Sequence, residues 1–183
     1  MRLLELWGDL EHIRGDGTRG YYYRVATITW SRPRIWSPEE DQFEVPQGWS
    51  GLGGVYAFLR QHWRQEGGKR IAYIGKAINF NTRLTSRHNH FDIIQRRGNT
   101  YVSCGRIAFE RIRSRPAFYL EIEDVIKFAV WHHLENDQGF HSLPGFRTTQ
   151  PKVMVPWYVK NEGYRFNNTM PKRIAYPSIG VSY

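Results

Sequence analysis

The stretch RIAYIGKAINFNTRLTSR, residues 70–87, carries polar groups where a predicted strand gives way to a predicted helix. Tyr73, Gly75 and Lys76 lie at the end of the strand, and Arg83 follows in the helix. A simple connection between a strand and a helix would need only the glycine. Lysine and arginine donors beside a tyrosine hydroxyl would converge on a phosphate, and Gly75 would let it approach the backbone closely.

The positive charge of the chain is concentrated in one third of its length. The formal net charge is +9, yet Arg60 to Arg115 contain thirteen Lys or Arg and three Asp or Glu, a net of +10. A solvated basic surface is one explanation, but a local excess of this size more often marks a polyanionic partner. DNA, RNA and an anionic membrane all fit. No amphipathic basic helix stands out, which weakens the membrane alternative.

Length and cysteine usage restrict the remaining classes. With 183 residues, the chain is expected to form one domain with at most an appendage. No apolar run approaches the roughly 18 residues of a membrane span, and the N-terminus does not resemble a signal peptide. The single cysteine, Cys104, excludes an internal disulfide and makes a cytoplasmic location the expectation. The sequence has no Cys-x-x-Cys pair, which argues against a structural zinc site.

The hydrophobic pattern predicts the elements that would position these groups. Strands are predicted in residues 20–30, 51–60, 70–77 and 99–114. Helices are predicted in residues 79–98, with an interruption near His88, and in residues 115–136. Pro116 suits the first turn of the second helix. Its apolar stripe consists of Ile122, Val125, Ile126, Ala129 and Val130.

Two glycine-flanked tyrosines on consecutive predicted strands resemble the paired motifs of the GIY-YIG nuclease family. The motifs are Gly54-Val55-Tyr56 and Tyr73-Ile74-Gly75, and Lys76, Arg83 and Glu123 follow in the family's order. The resemblance covers roughly residues 52–147. It implies an α/β fold with a small antiparallel sheet flanked by helices, and cleavage of double-stranded DNA with Mg²⁺ or Mn²⁺. It also implies a homodimer that cuts both strands.

The segment ENDQGFHSLPGFR, residues 135–147, resembles the part of certain type II restriction enzymes of this family that carries the family's asparagine. On that match the asparagine is Asn136. The Pro-x-x-Asn pattern that usually contains this asparagine is missing here, so Asn167 or Asn168 is the alternative.

Hydrolysis of a phosphodiester needs an activated water, a neutralised phosphoryl charge and a stabilised leaving oxygen. A hard cation such as Mg²⁺ can be held by one carboxylate together with waters and substrate phosphate. Glu123 is the only acidic residue in the motif set and lies at the edge of the apolar stripe. It is therefore the predicted metal ligand, and Glu121 and Glu135 are the alternatives on the same helix.

The resemblance assigns the activation of water to Tyr56, with Lys76 expected to lower the pKa of its phenol. Tyr73 would position the phosphate or the water, and Arg83 would bind the phosphoryl group. The competing interpretations are tyrosines that only pack in the core and an arginine that pairs with a surface carboxylate.

Residues of the basic helix supply second-line candidates. Arg87, Arg96 and Arg97 are predicted DNA-binding residues, and His88 is a further catalytic candidate. On a continuous helix His88 would lie about 140° around the axis from Arg83, which separates their side chains.

We therefore predict three segments: a β-rich N-terminal extension in residues 1–50, a GIY-YIG-like nuclease core in residues 51–147, and a packed C-terminal segment in residues 148–183. The predicted activity is sequence-specific, restriction-type cleavage of double-stranded DNA without a membrane partner. The alternatives are a nicking, structure-specific or single-strand nuclease, and a DNA-binding module without catalysis.

Overall fold

Eight strands of the described part of the chain form one mixed sheet. The computed structural model describes residues 23–37, 39–61, 69–88, 99–135, 153, 156–176 and 180–182. The strands are β1 (Arg24–Trp30), β2 (Arg34–Ile35), β3 (Gly54–Gln61), β4 (Arg70–Ala77), β5 (Asn99–Phe109), β6 (Trp157–Gly163), β7 (Arg173–Tyr176) and β8 (Gly180–Ser182). The helices are α1 (Phe80–Arg83) and α2 (Pro116–Glu135), with a 3₁₀ turn at Phe166–Asn168. Neither α-helix could cross a membrane.

The sheet is larger than expected. Its order is β4-β3-β5-β1-β6-β7-β8, with β2 beside β5. The pairs are antiparallel except β1 and β6, which are parallel. The mixed α/β class is confirmed, but the prediction of a small antiparallel sheet was wrong. The reason is that β1 pairs with both β5 and β6, so strands from all three predicted segments share one sheet.

Strand β3 is buried on both faces and separates two cores. On one face Val55, Ala57 and Leu59 belong to the cluster that includes α2, which we call the helix-side core. On the other face Tyr56 and Phe58 belong to a second cluster, the tyrosine-side core. The predicted apolar stripe of α2 is confirmed, because all five of its residues are at most 3% exposed. The tyrosines and the α2 glutamate therefore start from opposite faces of the sheet.

Within the described residues, the helix predicted over residues 79–98 ends at Arg83, ahead of the interruption expected near His88. Helix α1 has only four residues, starting after Asn79, whose side chain accepts a hydrogen bond from the Asn81 N–H at 2.9 Å. The following residues are hydrogen-bonded to residues 41–43 instead of to the helix: the Phe43 N–H donates to the Leu84 carbonyl, and the Ser86 N–H to the Asp41 carbonyl. This distant pairing uses backbone groups that a longer helix would need. Residues 89–98 lie outside the described part.

Candidate active site

The hydroxyl of Tyr56 is the centre of a buried polar cluster on the tyrosine-side core. The Arg83 Nε–H donates a hydrogen bond to Tyr56 Oη at 3.1 Å, and His88 Nε2 lies 2.6 Å from the same oxygen. The Tyr56 and His88 side chains are 0% and 4% exposed. Tyr73 packs beside them, with its ring centroid 6.0 Å from that of Tyr56 and 5.6 Å from that of His88. Four predicted site residues therefore meet at one point.

His88 reaches Tyr56 because the chain leaves the helix after Arg83. The expected separation of about 140° between Arg83 and His88 assumed a continuous helix, and this expectation was wrong. With the helix ended at Arg83, His88 packs against the rings of both Phe58 and Tyr73, whose centroids lie 4.9 and 5.6 Å from its own. His88 thus moves from a second-line candidate to a direct partner of Tyr56.

The phenol ring of Tyr56 packs directly against Gly75. The two residues are paired across β3 and β4. A Cβ atom at position 75 would come within 2.4 Å of both Cζ and Oη of Tyr56, and within 2.8 Å of Tyr73 Cε1. Real Cβ atoms do not approach other atoms this closely, so the position requires glycine. The glycine accommodates the tyrosine hydroxyl, where the sequence had suggested the approach of a phosphate.

The environment keeps Tyr56 protonated. Burial raises the pKa of its phenol far above the ordinary value of 10.0, and the neighbouring Tyr73 raises it further. The positive charge and hydrogen bond of Arg83 oppose this rise without reversing it. The expectation that Lys76 lowers the pKa of Tyr56 was therefore wrong in both respects: the cation at the phenol is Arg83, and burial outweighs it.

A cleft of about 320 Å³ adjoins the cluster at the end of β4. Its predicted site residues are Lys76, Arg83 and Glu123. Arg83 belongs to both the cluster and the cleft, so it connects them. The cleft is also lined by residues that the sequence analysis missed: Ala77, Ile78, Asn79 and Thr82. Of these, Asn79 carried a usable signal, because asparagine before a helix is a common N-cap.

Glu123 is a nearly buried carboxylate that pairs with one cation among the described residues. It is 6% exposed, and its Oε1 accepts a hydrogen bond from Lys127 Nζ at 2.5 Å. Lys127 Nζ also lies 5.6 Å from the centre of the Tyr73 ring. Lys127 is not among the residues predicted from the sequence, although a spacing of four residues on a helix is a usual signal for such a pair.

The alternative ligand Glu121 has a different environment. Its Oε2 accepts hydrogen bonds from Trp157 Nε1 at 2.6 Å and from Arg24 at 3.5 Å. It is not among the residues that line the cleft. Within the described residues, no group of three or more His, Cys, Asp or Glu side chains is placed to hold a metal ion. A single carboxylate in a polar cleft still fits a magnesium ion that keeps its waters and binds substrate phosphate.

Several predicted residues cannot be placed in this site. Asn136, Arg96 and Arg97 lie outside the described residues. Arg87 is exposed. The alternative Asn167 lies in the 3₁₀ turn with a left-handed backbone, φ 52°, and does not line the cleft that the described residues form. The choice of a family asparagine therefore stays a prediction.

Comparisons with protein-family models, with curated proteins and with solved structures gave no match for this chain. The function is therefore inferred from the geometry of the site itself.

Proposed function

We propose that this chain is a GIY-YIG-type endonuclease that hydrolyses phosphodiester bonds in double-stranded DNA with the help of Mg²⁺ or Mn²⁺. The observation that carries the proposal is the position of Arg83. Its guanidinium is held by Tyr56 on one side and lines the cleft that contains Lys76 and Glu123 on the other. Two cations and one carboxylate around a single cleft suit a phosphodiester and a metal ion.

Arg83 and Lys76 are the proposed phosphate ligands. Arginine offers several N–H donors in a fixed plane, and here Nε is occupied by Tyr56 Oη. This bond fixes the direction of the guanidinium, so less freedom is lost when a phosphate binds. Lys76 adds a point charge from the adjacent strand end. Together they would neutralise the charge that grows on the phosphoryl oxygens.

Tyr56 and His88 are the proposed proton acceptors for the attacking water. Because burial keeps the phenol protonated, Tyr56 would take a proton from water only while passing its own to His88 Nε2, 2.6 Å away. No free phenolate is needed in such a transfer. Tyr56 is fully buried, so the water has to enter beside Arg83 when DNA binds. If it does not enter, Tyr56 is a positioning residue for Arg83.

Glu123 would hold the metal ion, and Tyr73 would orient the phosphate or the water. When bound, the ion would stabilise negative charge on the phosphate. Lys127 competes with the ion for the carboxylate, since Oε1 is already paired in the structure. This pair is the observation that favours the second candidate, a DNA-binding module without catalysis. A nicking or single-strand nuclease would use the same groups. A homodimer that acts in the cytoplasm and cuts both strands remains part of the proposal.

Supercoiled plasmid incubated with the protein and Mg²⁺ separates these candidates. Discrete linear fragments support sequence-specific double-strand cleavage, and nicked circles or smears support the alternative nucleases. A gel shift without any cleavage, repeated with Mn²⁺, supports the binding module. Glu121→Gln is the matched control for Glu123→Gln, because both change one carboxylate on α2 and only Glu123 faces the cleft. Loss of cleavage in both variants would contradict the assignment of Glu123.

A further inference from the structure

The loop between β5 and α2 carries three arginines in five residues. Arg111, Arg113 and Arg115 are all exposed. None of the three guanidinium groups forms an ion pair or a side-chain hydrogen bond with a residue that the structure describes. These arginines belong to the basic third of the chain, Arg60 to Arg115, and are not among the predicted site residues.

The loop lacks local compensation for this charge. Its one acidic residue, Glu110, is paired with Lys160 at 3.2 Å. The first turn of α2, which follows the loop, contains no acidic residue. Arg111 also has φ 56°, a left-handed conformation that is unfavourable for any residue except glycine. The loop of the free protein therefore combines three unfavourable features. Its arginines repel one another, the start of α2 has no acidic residue, and the Arg111 backbone is strained.

The loop is nevertheless held in place at both ends. The Glu110 N–H donates to the Val25 carbonyl at 2.9 Å, and the Phe118 N–H donates to the Arg115 carbonyl at 2.9 Å. Ile112, between the arginines, packs against the helix-side core. An anchored array of arginines loses less entropy on binding than a mobile one.

The loop lies at the same end of the sheet as the cleft. Gly54 is paired with Ala77 of β4 on one side and with Arg106 of β5 on the other, and β5 continues beside β1 to Phe109 before the loop begins. The start of the loop is therefore about 10 Å across the sheet and about 10 Å further along it than the end of β4, a separation of roughly 14 Å. Along α2, Glu123 follows Pro116 by seven residues, which is also about 10 Å. Arg106 is exposed, and its guanidinium lies 5.8 Å from the centre of the Trp49 ring.

We propose that Arg111, Arg113 and Arg115 form a second phosphate-binding surface for the same DNA duplex that enters the cleft. A separation of about 10–14 Å is comparable to the width of the major groove of DNA, about 12 Å. The cleft would then hold the backbone that is cut, and the loop would hold the backbone across the groove. This arrangement selects a duplex over a single strand. The inference rests on the proposed function and adds a location to it.

The test is binding of a fluorescein-labelled 30-base-pair duplex, measured by anisotropy without divalent metal. Arg113→Gln/Arg115→Gln removes two charges from the loop. Lys69→Gln/Arg70→Gln is the matched control, because it removes two charges at the start of β4, the end away from the cleft. Each lost phosphate contact reduces the log–log salt slope by about 0.9. The ratio of the Kd of the loop variant to the Kd of wild type should therefore fall about 12-fold as salt rises from 50 to 200 mM. The control pair should keep the wild-type slope.

Arg111→Gly provides an independent readout. It should weaken duplex binding and also raise Tm, because glycine tolerates the left-handed backbone.

The outcomes separate this inference from the proposed function. Equal slopes for the two double variants, in a wild type that binds DNA and cuts it, overturn the loop surface alone. A loop variant that loses single-strand and duplex binding equally overturns the groove-spanning arrangement. Duplex binding that depends on the loop, without cleavage under any metal, supports the surface and overturns the nuclease. A wild type with no affinity for DNA overturns both.

Discussion

Replacing Tyr56 by phenylalanine removes one hydroxyl and keeps a ring that packs in the tyrosine-side core. The lost oxygen accepts from Arg83 at 3.1 Å and pairs with His88 Nε2 at 2.6 Å. A hydrogen bond contributes about 1 kcal/mol, and leaving a buried partner unsatisfied costs about 1–3 kcal/mol. Because His88 is 4% exposed, we expect the free energy of unfolding to fall by about 1–3 kcal/mol while the fold is retained.

The effect on rate distinguishes the two roles of Tyr56. Loss of a group that accepts the proton from water typically lowers the rate by about 10²- to 10⁴-fold. If the proton passes from Tyr56 to His88, the two residues act as one unit. In that case Tyr56→Phe, His88→Ala and the double variant should lose similar amounts of rate, because such effects are not additive.

Single-turnover cleavage with protein in saturating excess over the duplex, with thermal melts in parallel, measures both quantities. Tyr101→Phe is the control, because its hydroxyl also donates a side-chain hydrogen bond, to Gln61 Oε1 at 3.1 Å, at the end of β3 away from the cleft. It should lose some stability and keep its rate. If Tyr56→Phe cuts within a few-fold of wild type, Tyr56 does not activate water and is only a positioning residue.

Four further predictions follow from the same geometry. Gly75→Ala should displace the Tyr56 phenol, cost about 1–3 kcal/mol and lower the rate as Tyr56→Phe does, as measured by melts and cleavage; unchanged activity would contradict the packing of Tyr56 on Gly75. Glu123→Gln should lower the free energy of unfolding by up to about 3–5 kcal/mol, because it leaves Lys127 unpaired. Adding Lys127→Met should recover stability in chemical denaturation without restoring cleavage. Burial raises the pKa of the Cys104 thiol from 9.0 to about 12, so above pH 9 the folded state keeps a proton that the unfolded state loses. The free energy of unfolding should therefore fall from pH 9 upward by about 1.4 kcal/mol per pH unit. Chemical denaturation from pH 8 to 10 should show a smaller fall in Cys104→Ala than in wild type. With about four phosphate contacts, the affinity of the wild type for DNA should follow salt with a log–log slope near −3.6, and a nearly flat titration would contradict a basic binding surface.

The sequence predicted the local elements well and the long-range pairing poorly. Helix α2 and strands β3, β4 and β5 follow from hydrophobic patterns that repeat within a few residues. The parallel pair of β1 and β6 joins residues 24–30 to residues 157–163, and no local pattern specifies such a partner. The size of the sheet was therefore missed.

The same limit explains the error in the candidate site. Residues 84–88 look helical by themselves, and only their hydrogen bonds with residues 41–43 end the helix at Arg83. That distant contact brings His88 to Tyr56. The rise in the pKa of Tyr56 also depends on burial from several elements, which a motif does not contain. The motifs identified which residues belong to the site. They could not predict the protonation states of these residues or their hydrogen-bond partners.

The most direct test of the central claim is single-turnover cleavage of a labelled duplex by wild type, Glu123→Gln and Glu121→Gln across a Mg²⁺ titration. We predict Mg²⁺-dependent cleavage by wild type and by Glu121→Gln, and none by Glu123→Gln although it still binds the duplex. Cleavage by Glu123→Gln at the wild-type rate with saturating Mg²⁺ would contradict the proposed metal site. Absence of cleavage by wild type with every divalent ion tested would contradict the nuclease itself.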